Sequence, residues 1–392
     1  MNDYANNFRD KMAFYWLNAN FAEMGKFSAQ VVSAARKQSD EPVEALAHIG
    51  MAQHLRATGK YRLALASVER ALTQAELIGN REIQADALIE RARILLVGYV
   101  DPMSANSDAS EVLALATDIS YSQGYTYACI VLAQAAVAMG KMRDALRWGD
   151  LAAKTAQSHL DHLAVVESGL LLGQILSHAN RTKDADSILD DTLSLCKRMD
   201  YRYYRPLVAM EILLNRPVYT TEHVRILQAY SDGNEWAEHT LVRVTALEGL
   251  VRLHRNAKMP SYNMREAFRA VDRLRALAVE VQHPPLTFRY LRVMADLHMQ
   301  DGDTLEAEID LSDLVSLARD FHNPFQEMQA QRRLGDSFRS QRDFEAAYTA
   351  YEKAREIAAA LKDDETLRGL WLGWLVSGAL RQVTRLMRWL GL

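Results

Sequence analysis

Apolar residues recur three and four positions apart along this chain, the spacing that gathers them on one face of a helix, and short small-residue breaks interrupt these stretches at a regular interval. The breaks read M-G-K-F from Met24, T-G-K-Y from Thr58, M-G-K-M from Met139, A-N-R-T from Ala179, D-G-D-T from Asp301 and Q-R-D-F from Gln341. Each follows one apolar helical stretch and precedes a second that carries a small residue on its inner face. A break returning about every 40 residues predicts stacked pairs of helices rather than one globular core. With 18 Gly and 8 Pro in 392 residues, the tight turns of a sheet-rich fold have too little material. The expected fold is an all-α solenoid.

The stretch from Ala330 to Ile357 shows the unit most fully. Leu334, Gly335 and Phe338 share one face of a first helix, and Asp343 stands at the turn, where a short carboxylate can cap the next helix. Ala347, Tyr351 and Ala354 then line the second helix, with Ala347 at the close crossing. Further copies run through Met51, Ala52, Leu55, Gly59, Tyr61, Ala64 and Ala71, through Leu132, Ala133, Ala136, Gly140, Met142, Ala145 and Ala152, and through Leu172, Gly173, Leu176, Asn180, Ala185 and Leu189. Met294, Ala295, Gly302, Ala307 and Leu311 give a looser copy, and Leu17, Phe21, Gly25 and Phe27 suggest the first. This pattern resembles the tetratricopeptide repeat, in a long-unit form, over residues 8 to 361. The resemblance implies a right-handed superhelix of eight or nine helix pairs over residues 1–361, followed by a separate C-terminal helix in 362–392.

Two stretches fit less well. Residues 82 to 119 read as helix, loop, helix, with an irregular turn from Asp101-Pro102 to Ser107. Residues 201 to 280 read as two degenerate pairs broken at Arg216-Pro217 and at Lys258 to Ser261, and Pro284-Pro285 opens the next unit because paired prolines do not sit inside a helix. The first break, at Gly25, stands 34 residues before Gly59, against 40 between Gly140 and Asn180.

In the family the first helix of each pair lines the concave wall. Counting back six residues from each break gives Ala19, Gln53, Gln134, Gln174, Asp296 and Asp336; counting back ten gives Tyr15, Ile49, Ile130, Leu170, Arg292 and Arg332. Amides beside apolar positions in the first half suit a peptide main chain, and alternating Arg and Asp follow in the second half. The same residues also read as plain solvated positions on helices that need a polar face. The partner expected is a protein or peptide segment.

The C-terminal segment has its own chemistry. After Glu365 there is no acidic residue, while Arg368, Arg381, Arg385 and Arg388 add four positive charges and Trp371, Trp374 and Trp389 supply half of the six tryptophans. On a helix from Ala379, Leu380, Val383, Met387 and Leu390 share a face opposite Arg381, Arg385 and Arg388. Three readings stand: a lid over the last repeat, a docking helix for a partner or second copy, or a helix lying on an anionic membrane surface. The uncharged run from Gly369 to Leu380 is too short to span a bilayer.

Composition adds exclusions. A net charge of -4 argues against nucleic acid as the main partner. No phosphate-binding glycine loop, dinucleotide fingerprint or H-E-x-x-H motif occurs, and no nucleophile, base or cofactor set assembles, so no enzyme, cofactor or metal is expected. His159 and His162 lack a third ligand. The Y-R-Y-Y-R-P stretch from Tyr201 reads as tyrosines packed between repeats with solvated arginines, and Thr220 to Leu250 is rejected as a helix-turn-helix because Asp232, Glu235 and Glu238 would oppose phosphate. Two cysteines without metal spacing, Cys129 and Cys196, read as buried thiols, and the polar N-terminus lacks a signal peptide, pointing to the cytoplasm.

Overall fold

The computed structural model describes residues 2–216, 220–233, 239–281 and 286–389, with nineteen α-helices and no strand among them. Two compact units are present, one of residues 1–263 with 279–283, the other of 264–278 with 284–392. The first holds α1 (Asn2–Leu17), α2 (Phe21–Gln38), α3 (Glu41–Ala57), α4 (Tyr61–Leu77), α5 (Arg81–Ile94), α6 (Pro102–Asp118), α7 (Ser122–Ala138), α8 (Met142–His159), α9 (His162–His178), α10 (Thr182–Arg198), α11 (Tyr204–Leu214), α12 (Thr221–Asp232) and α13 (Thr240–Arg255). The second is built on α14 (Met264–Glu280), α15 (Thr287–Asp301), α16 (Thr304–Asp320), α17 (Pro324–Ser340), α18 (Phe344–Ala360) and α19 (Asp364–Trp389).

Left-handed turn residues mark the repeat. In the first unit they are Ala19, Ser39, Gly59, Gly79, Val100, Ser120, Gly140, Leu160, Asn180 and Asp200, and in the second Gly302, His322, Arg342 and Lys362. Every step within each series is 20 residues except the 21 from Gly79 to Val100. That one surplus residue coincides with a π-helical turn at Leu95–Tyr99, whose wider i→i+5 bonding absorbs an insertion without breaking the helix. The residue after the turn bonds back to the helix it leaves, as in Lys60 N to Leu55 O at 2.8 Å and Lys141 N to Ala136 O at 2.8 Å, which satisfies otherwise orphaned carbonyls. Where that residue is Asp or Asn it also caps the following helix, except Asn20, whose side chain makes no cap bond. Asp40 accepts from Val43 N at 3.2 Å and Asp161 from Ala164 N at 3.1 Å, and Asp343 accepts from Ala346 N at 3.1 Å, as its position predicts.

Second helices carry a fully buried alanine where the pair crosses: Ala64, Ala105, Ala145 and Ala185 in the first unit, Ala267, Ala307 and Ala347 in the second. The same closeness fixes glycine on several first helices. A Cβ on Gly173 would lie 2.4 Å from Cδ2 of Leu189, and Leu189 is locked in a cluster with Val208 and Ile212. Gly173→Val is therefore expected to cost about 1–3 kcal/mol by overpacking, read as a lower urea midpoint with an unchanged slope. This pairing of helices across a small residue is the arrangement that the tetratricopeptide resemblance implies.

Three expectations change. The first turn lies at Asn18–Asn20 with Ala19 left-handed, while Gly25 sits buried inside α2, where a Cβ would meet the His54 ring at 2.8 Å. The first unit is thus 40 residues long and not 34. Glycine there reports close packing rather than a turn. Asp101 to Ser107 is not an irregular loop: Asp101 caps α6 through Ser104 N at 3.1 Å and Pro102 starts the helix, the position where a missing N–H costs nothing. The residues added to the family's usual length have gone into the helices, most of which are 17 residues long. Pro217, Glu235, Glu238, Pro284 and Pro285 lie outside the described residues. Tyr201, Tyr203 and Tyr204 are buried with Arg202 and Arg205 exposed. Cys129 and Cys196 are buried free thiols, which burial pushes up to about 12.

Candidate ligand-binding wall

The inner wall of the first unit is drawn from every second helix, α1, α3, α5, α7, α9 and α11. Correcting the first turn moves the first six-back position from Ala19 to Ala13, six residues before Ala19, and places Arg9 where Tyr15 was expected. Gln53, Gln134 and Gln174 are all half-buried. Gln53 borders a cavity of about 80 Å³ whose lining includes Arg9, Asp86, Gln123 and Tyr127. Gln174 donates to Glu211 Oε2 at 3.2 Å. The neighbouring apolar column is less open than its spacing suggested. Ile49 and Ile130 are buried, and Leu170 packs on the Leu189 cluster.

A polar network, invisible to the counting rule, ties this wall together. Arg56 donates Nε and Nη2 to the two carboxylate oxygens of Glu90 at 2.6 and 3.1 Å, and its guanidinium lies 4.3 Å from the centre of the Trp16 ring. Trp16 Nε1 donates to the Tyr204 hydroxyl at 2.9 Å, and that hydroxyl donates to Glu167 Oε1 at 2.5 Å. Glu167 also pairs with Arg93, whose guanidinium sits 4.7 Å over Tyr127. Helices α1, α3, α5, α7, α9 and α11 each contribute, so the first helix meets the eleventh. The seam is reinforced by a backbone bond from Tyr203 N to Leu17 O at 3.1 Å and by edge contacts of Tyr203 with Trp16 and Phe21.

Electrostatics keep this network charged. Burial works against ionisation of Arg93, and Glu167 together with Tyr127, Glu90 and Tyr204 more than offsets it, so the pKa is raised. Arg56 behaves alike, burial opposed by Glu90. Burial raises the Tyr204 hydroxyl well above its ordinary value and Glu167 adds to the effect, leaving it a proton donor. A second pair, Arg9 with Asp86 at 2.8 Å, stands at the cavity, where the Tyr121 hydroxyl also donates to Asp86 at 2.7 Å. A sequence signal existed for part of this: Glu167 is the one Asp, Glu, Lys or Arg in α9.

No family profile matches the chain, and no curated protein matches it in sequence. Solved structures do resemble it. A Rap protein complexed with competence and sporulation factor aligns at 13% identity over 92% of this chain and 86% of that one, with a TM-score of 0.46. The apo quorum sensor NprR from B. thuringiensis aligns at 13% identity over 89% and 98%, with a TM-score of 0.38. The repeat stands on the coordinates.

In the second unit Asp296 is paired with Arg333 at 2.8 Å, and Asp336 accepts from the Tyr351 hydroxyl at 2.6 Å. Arg292 is half-buried and contributes its carbonyl to Arg333 at 3.3 Å, while Arg332 is exposed. On α19, Trp374 packs on Tyr348, ring centres 5.7 Å apart, beneath the Arg355 guanidinium at 4.2 Å. Arg381 and Arg385 both pair with Glu345 of α18, at 2.8 and 2.6 Å. Trp371 is exposed; the side chains of Arg388 and Trp389 lie outside the described residues. No helix among the described residues is long and apolar enough to cross a membrane, and no His, Cys, Asp and Glu cluster among them could hold a metal.

Proposed function

We propose that the chain is a non-catalytic binding module that holds a protein or peptide segment against its first-helix wall. The observation that carries this reading is the cavity bordered by Arg9, Gln53, Asp86, Gln123 and Tyr127, side chains from four successive helix pairs. Its volume suits one inserted side chain or a chain end, and its amides can both donate to and accept from a main chain. Gln134 extends the track beyond the cavity. Arg292, Asp296, Arg332 and Asp336 form a separate candidate strip in the second unit.

A random peptide-display library panned on the intact protein supplies the probe. Gln53→Ala with Gln123→Ala is expected to weaken a selected peptide about five- to tenfold per lost hydrogen bond, measured by titration calorimetry. Peptides that bind the double variant as tightly as the parent would place the site elsewhere.

A further inference from the structure

Helix α19 carries the densest apolar exposure among the described residues. Leu372 is 61% exposed and Trp371 54%, and Leu375 and Val376 continue the stripe one turn on. Leu380, Val383, Leu386 and Met387, all exposed, extend it along the rest of the helix. At 26 residues α19 outruns its partner α18 by nine, 26 against 17. The opposite side is the one that packs: Trp374 under Arg355, and Arg381 and Arg385 on Glu345. The helix has therefore turned basic groups toward the second unit and its apolar side toward solvent, the reverse of a lid that hides its grease. Forty residues earlier, the positions of Leu372 and Val376 are Arg332 and Asp336, so the wall changes from charged to apolar at this last helix.

We infer that this stripe is a docking surface for an anionic lipid membrane, with α19 lying along the headgroup boundary. Charge selects the occupant. From Arg368 to Trp389 the helix has no carboxylate and four arginines; Arg381 and Arg385 are held by Glu345 on the packed side, and exposed Arg368 stands beside the stripe. A second copy packed α19 to α19 in parallel through the stripe would set Arg368 beside Arg368, with no carboxylate on either helix between Arg368 and Trp389 to offset it. An anionic surface meets the same groups favourably. Aromatic and aliphatic side chains in one line, with basic groups beside them, are what an interfacial helix buries. This surface lies in the second unit, apart from the cavity of the first, so the two proposals fail independently.

The test is co-sedimentation of the intact protein with phosphatidylcholine vesicles, with and without phosphatidylglycerol. Pelleting is expected only with the anionic lipid and should fall as salt rises. Leu372→Glu with Val383→Glu should reduce it more than tenfold, with helicity unchanged because both sites are exposed. Leu77→Glu, at an 80% exposed position on α4, should leave it unaltered. Absence of pelleting, equal pelleting with phosphatidylcholine alone, or indifference to the α19 double variant would each overturn the inference. A concentration-dependent dimer in sedimentation velocity, abolished by the same double variant, would also overturn it by assigning the stripe to a second copy.

Discussion

Glu90→Ala is expected to lower the stability of the first unit by about 3–5 kcal/mol, the cost of leaving a buried charge without its partner. Glu90 is 1% exposed and receives two hydrogen bonds from Arg56. The Arg56 guanidinium would then stay largely buried without its carboxylate, with Trp16 covering one side of it at 4.3 Å. Removing both charges is a different matter. Arg56→Met combined with Glu90→Leu should recover most of the loss, since a well-packed apolar pair often equals or exceeds a buried ion pair. Urea unfolding followed by circular dichroism measures both variants. If the single and double variants unfold at the same midpoint, the pair is not acting as a buried salt bridge.

Trp16→Ala should cost a comparable amount, about 3–5 kcal/mol, with a more local signature. The indole is 4% exposed, packs edge-on against Phe21 and Tyr203, and donates to Tyr204. Its removal opens a cavity at the seam between α1 and α11 and leaves a buried hydroxyl with one partner fewer. Amide hydrogen exchange should accelerate first at Tyr203, whose N–H donates to Leu17 O, and then along α1. Trp16→Phe keeps most of the packing and loses the hydrogen bond, a cost of about 1 kcal/mol. Unchanged exchange at Tyr203 in the alanine variant would show that the seam closes without the indole.

The helix pairs were legible because close crossings demand small residues, and Ala64, Ala145, Ala185, Ala307 and Ala347 recur at multiples of about 40 residues. The turns between pairs were not. Ser39, Ser120, Leu160, Asp200, His322 and Lys362 adopt left-handed φ without being glycine, held there by the helices on either side, so a search for Gly or Asn passes over them. Gly25 misled for the complementary reason, being glycine for the sake of His54 and not for its backbone. On the wall, counting back from each turn singled out Gln53, Gln134 and Gln174 and passed over Arg56, Glu90, Arg93 and Glu167. Their significance depends on which helices meet across the axis of the first unit, and the contact from Trp16 to Tyr204 joins residues 188 apart. Periodicity within one pair carries no record of it.

The steady beat of the turn residues sets the scale on which this protein tolerates change in length. Each helix with its turn spans 20 residues in both series but for the one 21-residue step, so losing one residue inside a helix rotates the side chains that follow it in that helix by about 100° and turns its buried alanine outward. Excision of a whole 40-residue hairpin removes a layer and leaves its neighbours in phase. Changes in length of such a chain are quantised, and the π turn at Leu95–Tyr99 shows how the stack accommodates the one surplus residue it carries.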